Sequence, residues 1–336
     1  MDSLTHIVLG ACIGDLFVGR RLGKRAMLLG AVMNSLPDID FVASFFLDPV
    51  SDLLAHRGFT HSLLFAFIVT PVLSWIAMRI HHKSDISFKH WNIFFMTEML
   101  IHLFIDAFNA YGTGWFEPFS HARISFHSLF VADPFFSIPL ALAFIALIVL
   151  PARHFARRKW IYASLFICSC YLGWSVLNKK IVDTDVLAIA KKKNIKFTRH
   201  LSTPTPLNNL LWFIALEQDS GYYIGYRSVF DSKPEMQFTF RPRNEKMLDT
   251  LEHEKRLMQL KRFSQGFYTA EKSGDTLMFN DLRFGQEAGW YDPMNKFAFH
   301  FYLSHPDDNE LVVQRGRFAL WNEETIRTMV RKIRGN

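Results

Sequence analysis

The sequence predicts an α-helical membrane bundle of about six spans followed by a small α+β extracytoplasmic domain. Three observations predict it. Long apolar runs fill residues 1–180, ordinary mixed sequence fills 181–336, and basic clusters fall in alternate gaps between the apolar runs. The domain boundary is therefore expected near residue 180.

A bilayer core needs about 20 mostly apolar residues as helix. Candidate spans are 4–18, 26–46, 60–80, 91–110, 134–150 and 160–177. The first is short and carries Asp15. The second is interrupted by Pro37-Asp38-Ile39-Asp40, so it is expected to cross as far as Pro37 and then run along the interface. No basic leader precedes the first apolar segment, which is expected to stay in the mature protein. Cys12, Cys168 and Cys170 all lie in apolar runs and read as small membrane-helix residues, not as a disulfide or zinc framework.

Arg20, Arg21, Lys24 and Arg25 separate the first two spans. Residues 79–83 separate the third from the fourth, and 153–159 the fifth from the sixth. All three basic loops can face the cytoplasm together, which puts the other loops and the C-terminal domain outside. Lys179 and Lys180 weakly oppose this orientation. The net charge of +7 is thereby explained by membrane flanks, and no nucleic-acid partner is expected.

In the second half, apolar and polar residues alternate over 210–216, 222–229, 236–240, 266–270, 276–280, 296–303 and 311–318, which read as strands. Residues 245–261 and 323–332 read as amphipathic helices, and Ser202 to Pro206 as a rigid loop. His253, His300 and His305 are isolated, so this domain is expected to cover the membrane site or bind a partner.

Chemistry concentrates in the first half. His6, Asp38, Asp40, His56, His61, His102 and Asp106 all fall near the same ends of their spans, although they come from four chain segments. Glu98, His102 and Asp106 repeat every four residues and share one helix face, with Asn109 close to it. Imidazole and carboxylate suit zinc first, with manganese or magnesium also accommodated. Seven candidate ligands leave room for two or three ions, and close metal pairs are typical of phosphoester cleavage. Arg57 and Arg123 are candidates to hold an anionic group, and Glu98 to act as ligand or general base. Each pattern also has a plain reading. A lone histidine can be a hydrogen-bonded core residue, paired carboxylates after a proline can be a solvated cap, and the ladder can be a packing network. Their convergence on one face favours a site. His81, His82, His90, His121, His127 and His154 read as interfacial or solvated, with His121 or His127 in reserve.

The segments Asp2 to His6, Leu36 to Asp40 and His56 to Ser62 resemble the YdjM-type family of bacterial inner-membrane proteins, taken to be metal-dependent hydrolases. The match continues through His102 to Asp106, Asn109 to Thr113, Pro118 to Ser120 and Asp133-Pro134, so it covers roughly 1–180. That family is distantly similar to the zinc-dependent phospholipase C and single-strand nuclease superfamily, where His102-x-x-x-Asp106 matches a metal-ligand pattern. The resemblance implies phosphoester hydrolysis, and the membrane setting suggests a lipid or lipid-linked substrate. Two rivals stay open: a metal or proton transporter, and a non-catalytic scaffold stapled by a structural metal. Oligomeric state is not readable from the sequence.

Overall fold

The computed structural model describes residues 1–249, 251, 254–303, 318 and 320–335. The chain forms two compact units, residues 1–46 with 55–174 and residues 47–54 with 175–336. The expected strand over 311–318 lies outside the described residues, Phe318 aside, as do His253 and His305.

The first unit is helical. Its elements are α1 (Ser3–Leu22), α2 (Arg25–Asn34), α4 (Leu63–Ile80), α5 (Phe88–Asp106), α6 (Pro134–Val149) and the first half of α7 (Ala156–Lys192); the short α3 (Pro49–Ala55) falls at the divide. Six crossings are not supported. Among the described residues three helices, α1, α4 and α7, are long and apolar enough to span a bilayer. A fourth is added if α2 and the 3-10 turn Pro37–Phe45 count as one span bent by 60°. The reasons are visible in the other two. Helix α6 has 16 residues, about 24 Å at 1.5 Å per residue, short of a core about 30 Å thick. Helix α5 buries Glu98, His102 and Asp106, so its inner face is polar.

Packing centres on α1, which contacts α2, α5 and α6, while α4 packs on α5. The α1–α2 contact depends on glycine. A Cβ on Gly10, Gly14 or Gly30 would collide with backbone of the facing helix. Small residues let two backbones touch, as in membrane helix pairs generally. The turn between them is short: Gly23 ends α1 at φ +61°, and α2 begins at Arg25.

At the end of the bundle where α1 finishes, Asp15 is buried and paired. Arg157 donates to its two oxygens from Nη2 at 2.5 Å and Nε at 3.2 Å, and to the Leu150 carbonyl from Nη1 at 2.9 Å. The three basic clusters lie at this end, because α1, α4 and α6 finish there and α2, α5 and α7 start there.

In the second unit, β1 (His200–Pro204), β2 (Leu211–Gln218), β3 (Gly221–Ser228) and β4 (Thr239–Pro242) form an antiparallel sheet in that order. A second sheet holds β5 (Tyr268–Ser273), β6 (Thr276–Gln286) and β7 (Phe297–Tyr302). The expected α+β domain is thus present, with two corrections: the helix expected over 245–261 is a 3-10 turn at Glu245–Leu248 and a separate helix at Glu254–Phe263, and part of the expected loop is strand. Residues 202–206 are not all loop, because β1 pairs with β2 through Thr203 and Pro204. β1 is an edge strand, where a proline without an N–H does no harm. Strand β2 is buried on both faces, which explains its unbroken apolar run. Trp212, Ile214 and Leu216 pack against Val182, Val186 and Ile189 of α7, whereas Phe213 and Ala215 face Leu282 and Phe297 of the second sheet. Helices α8 (Glu254–Phe263) and α9 (Glu323–Ile333) complete the unit.

Candidate metal centre

Local signals bring the ligand residues to one end of the helical unit. Asp2 caps α1 by accepting from the Thr5 backbone N–H at 3.0 Å, and His6 follows in the first turns. Helix α2 stops at Asn34 because Pro37 follows, and the resulting 3-10 turn carries Asp38 and Asp40. Ser62 caps α4 by accepting from Phe65 N–H at 3.0 Å, which fixes His61 in the turn just before that helix. His102 and Asp106 lie on the closing turns of α5. The starts of α1 and α4 and the ends of α2 and α5 meet at the same end, opposite the basic clusters.

Asp38, His61, His102 and Asp106 form one group in which a ligand atom of each lies within 4.8 Å of all the others. His61 Nε2 is 3.1 Å from His102 Nε2, 3.4 Å from Asp38 Oδ1 and 3.5 Å from Asp106 Oδ2. His102 Nε2 is 3.7 Å from Asp38 Oδ1 and 3.6 Å from Asp106 Oδ2. Metal–ligand bonds of about 2.0–2.2 Å at tetrahedral angles put ligand atoms about 3.3–3.6 Å apart. The residues therefore fit a small divalent cation. His61, His102 and Asp106 are fully buried, and the Asp38 side chain keeps 23% exposure, so the group opens on the Asp38 side. Charge makes the same case. Burial pushes the His61 imidazole down, but Asp106, Asp38 and Asp40 outweigh it and hold it up to about 10. His61 precedes the α4 span, and the upward shift reflects the three carboxylates gathered around it.

Around this group His61 and Asp106 are held by polar neighbours, and His102 is stacked by His6. His61 Nδ1 lies 3.4 Å from Asp40 Oδ2 and 3.2 Å from Thr60 Oγ1. Asp40 also accepts from the Arg57 backbone N–H at 2.6 Å, and its Oδ1 lies 3.3 Å from His56 Nδ1. Asp106 Oδ1 is 3.1 Å from His6 Nε2, His6 Nδ1 is 3.1 Å from Asn34 Oδ1, and Asn34 Nδ2 donates to Glu98 Oε2 at 2.9 Å. The His6 ring stacks on His102 with centroids 3.8 Å apart. The Met1 amino group also contacts Asp106.

Of the expected residues, the four-membered group thus takes Asp38, His61, His102 and Asp106. His6, Asp40 and His56 sit one layer out, against the ligands. Glu98 is buried and reaches the group only through Asn34 and His6. Arg57 turns inward at φ +57°. Its Nε is 3.1 Å from Asp106 Oδ2, Nη1 donates to Asn109 Oδ1 at 2.8 Å and Nη2 to the Met1 carbonyl at 3.1 Å. Arg123 donates from Nη2 to the His56 carbonyl at 2.8 Å, which ties the loop after α5 to the histidine turn. His121 is exposed beside Glu117. Asn34 was not among the expected site residues. Its one signal was its position four residues before Asp38, at the end of a helix whose glycine side faces α1.

The family model described as YdjM inner membrane protein matches residues 1–182, more than half of the chain. Two curated relatives match part of the chain. One is the Uncharacterized protein YfhP of Bacillus subtilis (strain 168), 32% identical over 148 residues, which is 41% of this chain and 43% of that protein. The other is the Inner membrane protein YbcI of Escherichia coli (strain K12), 31% identical over 122 residues, 36% of this chain and 69% of that protein. The match to the Bacillus protein therefore spans less than half of its length. No solved structure matches.

Proposed function

The chain belongs to the YdjM inner membrane protein family, and on that premise we propose that it is a metal-dependent hydrolase acting on a phosphoester of a lipid or lipid-linked substrate. The observation that carries the reading is the set of ligand-to-ligand distances of 3.1–3.7 Å among Asp38, His61, His102 and Asp106. Zinc suits two imidazoles and two carboxylates best, with manganese second. A divalent ion held there would lower the pKa of water to about 7 and polarise a phosphoryl oxygen. The chain's own residues then have distinct tasks. Asp40 orients His61 through Nδ1, His6 and Asn34 hold Asp106 Oδ1, and Arg57 acts as a positioning residue on Asp106 Oδ2. Arg123 is the better placed of the two arginines to meet an anionic group entering past His56.

An amphiphilic substrate is supported by the surroundings. Phe41, Phe45 and Phe46 share the turn of Asp38 and Asp40, Phe59 shares that of His61, and Phe116 and Phe119 follow Gly114, whose N–H donates to the Arg57 carbonyl; all six rings are exposed. Exposed apolar rings of this kind mark a surface that meets lipid or an apolar ligand. The basic clusters at the opposite end favour an extracytoplasmic site in a multi-pass inner-membrane protein, and the same orientation would put residues 175–336 outside.

A structural metal is the second reading, and it has an observation of its own: four protein ligands can close a tetrahedron, as structural zinc sites do. A transport path is less supported, because Asp15 at the far end is satisfied by Arg157. Purified chain should carry about one divalent ion, measured by mass spectrometry, and cleave a short-chain phospholipid or another phosphodiester in a panel. His61→Ala should remove both properties. Full metal content with no cleavage across the panel would leave the structural reading standing in place of the hydrolase.

A further inference from the structure

The second unit contains a cavity of about 710 Å³, separate from the metal centre and from everything proposed for it. Its rim is cationic. Lys192 and Lys193 reach it from the end of α7, and Arg331 and Lys332 from the last turn of α9. Its floor is partly apolar, formed by buried Leu211, Ile224 and Met236 together with the Tyr226 ring. The size is that of a small-molecule site.

Asp231 attracts Lys332, and the other rim charges are less committed. Among the described residues, none of the four cationic side chains forms a salt bridge. Lys332 instead lies over the Tyr226 ring, 5.8 Å from its centroid. Asp231 also lines the cavity, but it is already engaged: its Oδ2 accepts from the Ser228 backbone N–H at 2.8 Å and lies 3.6 Å from Arg227 Nη1. Glu235 is the remaining acid on the lining, against four cations. A surface that merely needed solubility would intersperse both signs. Here two chain segments far apart in sequence, the ends of α7 and α9, bring their cations to one concavity with an apolar floor.

We infer that this cavity binds a ligand carrying a phosphate group, with the phosphate on the Lys192, Lys193, Arg331 and Lys332 rim and any apolar or ring portion over Tyr226. Lysine and arginine are the side chains that hold phosphate through charge-assisted hydrogen bonds. The phosphate can belong to a soluble metabolite or to a lipid headgroup, and the test separates the two.

The full chain is kept in a neutral detergent and titrated calorimetrically at constant ionic strength with inorganic pyrophosphate, then with dihexanoyl phosphatidate. Each titration is repeated in Asp106→Ala, which takes away a ligand of the metal centre, and in the triple variant Lys192→Gln, Lys193→Gln, Lys332→Gln. Saturable binding that survives Asp106→Ala and weakens about tenfold or more in the triple variant supports the inference. Pyrophosphate binding indicates a soluble source, and binding of the phosphatidate alone a lipid source. Binding of neither probe, binding lost in Asp106→Ala, or equal binding by the triple variant overturns it. Loss of hydrolysis elsewhere in the molecule would not bear on these outcomes.

Discussion

The two ends of the helical unit both bury charge, and they do it differently. At the basic end Asp15 meets Arg157 one to one, and the arginine spends its remaining donors on helix-end carbonyls. At the other end two imidazoles and two carboxylates converge, with Arg57 and the Met1 amino group against one of the carboxylates. The first arrangement is complete and holds helices together. The second gathers donors of the kind that can hold a metal ion. Buried charge by itself therefore says little about function, and the informative quantity is whether the partners present account for it.

The contrast can be broken in three ways. The largest effect is expected at the basic end. Arg157→Leu leaves Asp15 buried and unpaired, which should cost about 3–5 kcal/mol and lower the thermal midpoint, while Asp15→Leu with Arg157→Leu recovers most of it. Metal content per folded chain should not change in either variant. A loss of metal there would mean that the two ends are coupled and the contrast is false. Next, Asp40→Asn at the site end should leave the midpoint nearly unchanged and weaken metal affinity about 10- to 100-fold, measured by competition with a chelator, because His61 loses the carboxylate that orients it. The smallest effect is expected for Arg57→Lys. The charge on Asp106 is kept but the bonds to Asn109 and the Met1 carbonyl are lost, so affinity should fall severalfold. If metal content holds and only turnover falls, Arg57 meets the substrate and the positioning role is wrong.

Much of the site was legible in the sequence for reasons that are local. A four-residue ladder fixes His102 and Asp106 on one helix face, and Pro37 guarantees a break at which Asp38 and Asp40 can turn inward. Division of labour among the seven candidates was not legible. Spacing places a residue on its own helix but does not say which neighbour lies opposite, so Asp38, which ends among the ligands, and Asp40, which holds His61 in place, read as equivalent. Asn34 was invisible for the same reason, since its role depends on α5 delivering Glu98 beside it. In the second unit the strands expected over 210–216 and 222–229 were readable, the first through an apolar run that is buried on both faces, but β1 was hidden by two prolines in a TPTP stretch, because only the neighbouring strand shows that Pro204 sits on an edge. The number of spans was overcounted because an apolar run does not show that its helix is short, as α6 is, or buries a polar face, as α5 does.

The glycine crossing of α1 and α2 has a consequence for how the molecule is made. The two helices are neighbours in sequence, so their contact closes a loop of a few residues, the cheapest closure available to the chain. The hairpin can therefore zip as soon as residue 34 has left the ribosome, bringing His6 against Asn34 before any other part of the centre exists. Asp38 and His61 arrive next, and His102 and Asp106 last. The order of synthesis thus runs from the residues that brace the cluster to those that complete it, so the scaffold is standing before the final carboxylate reaches it.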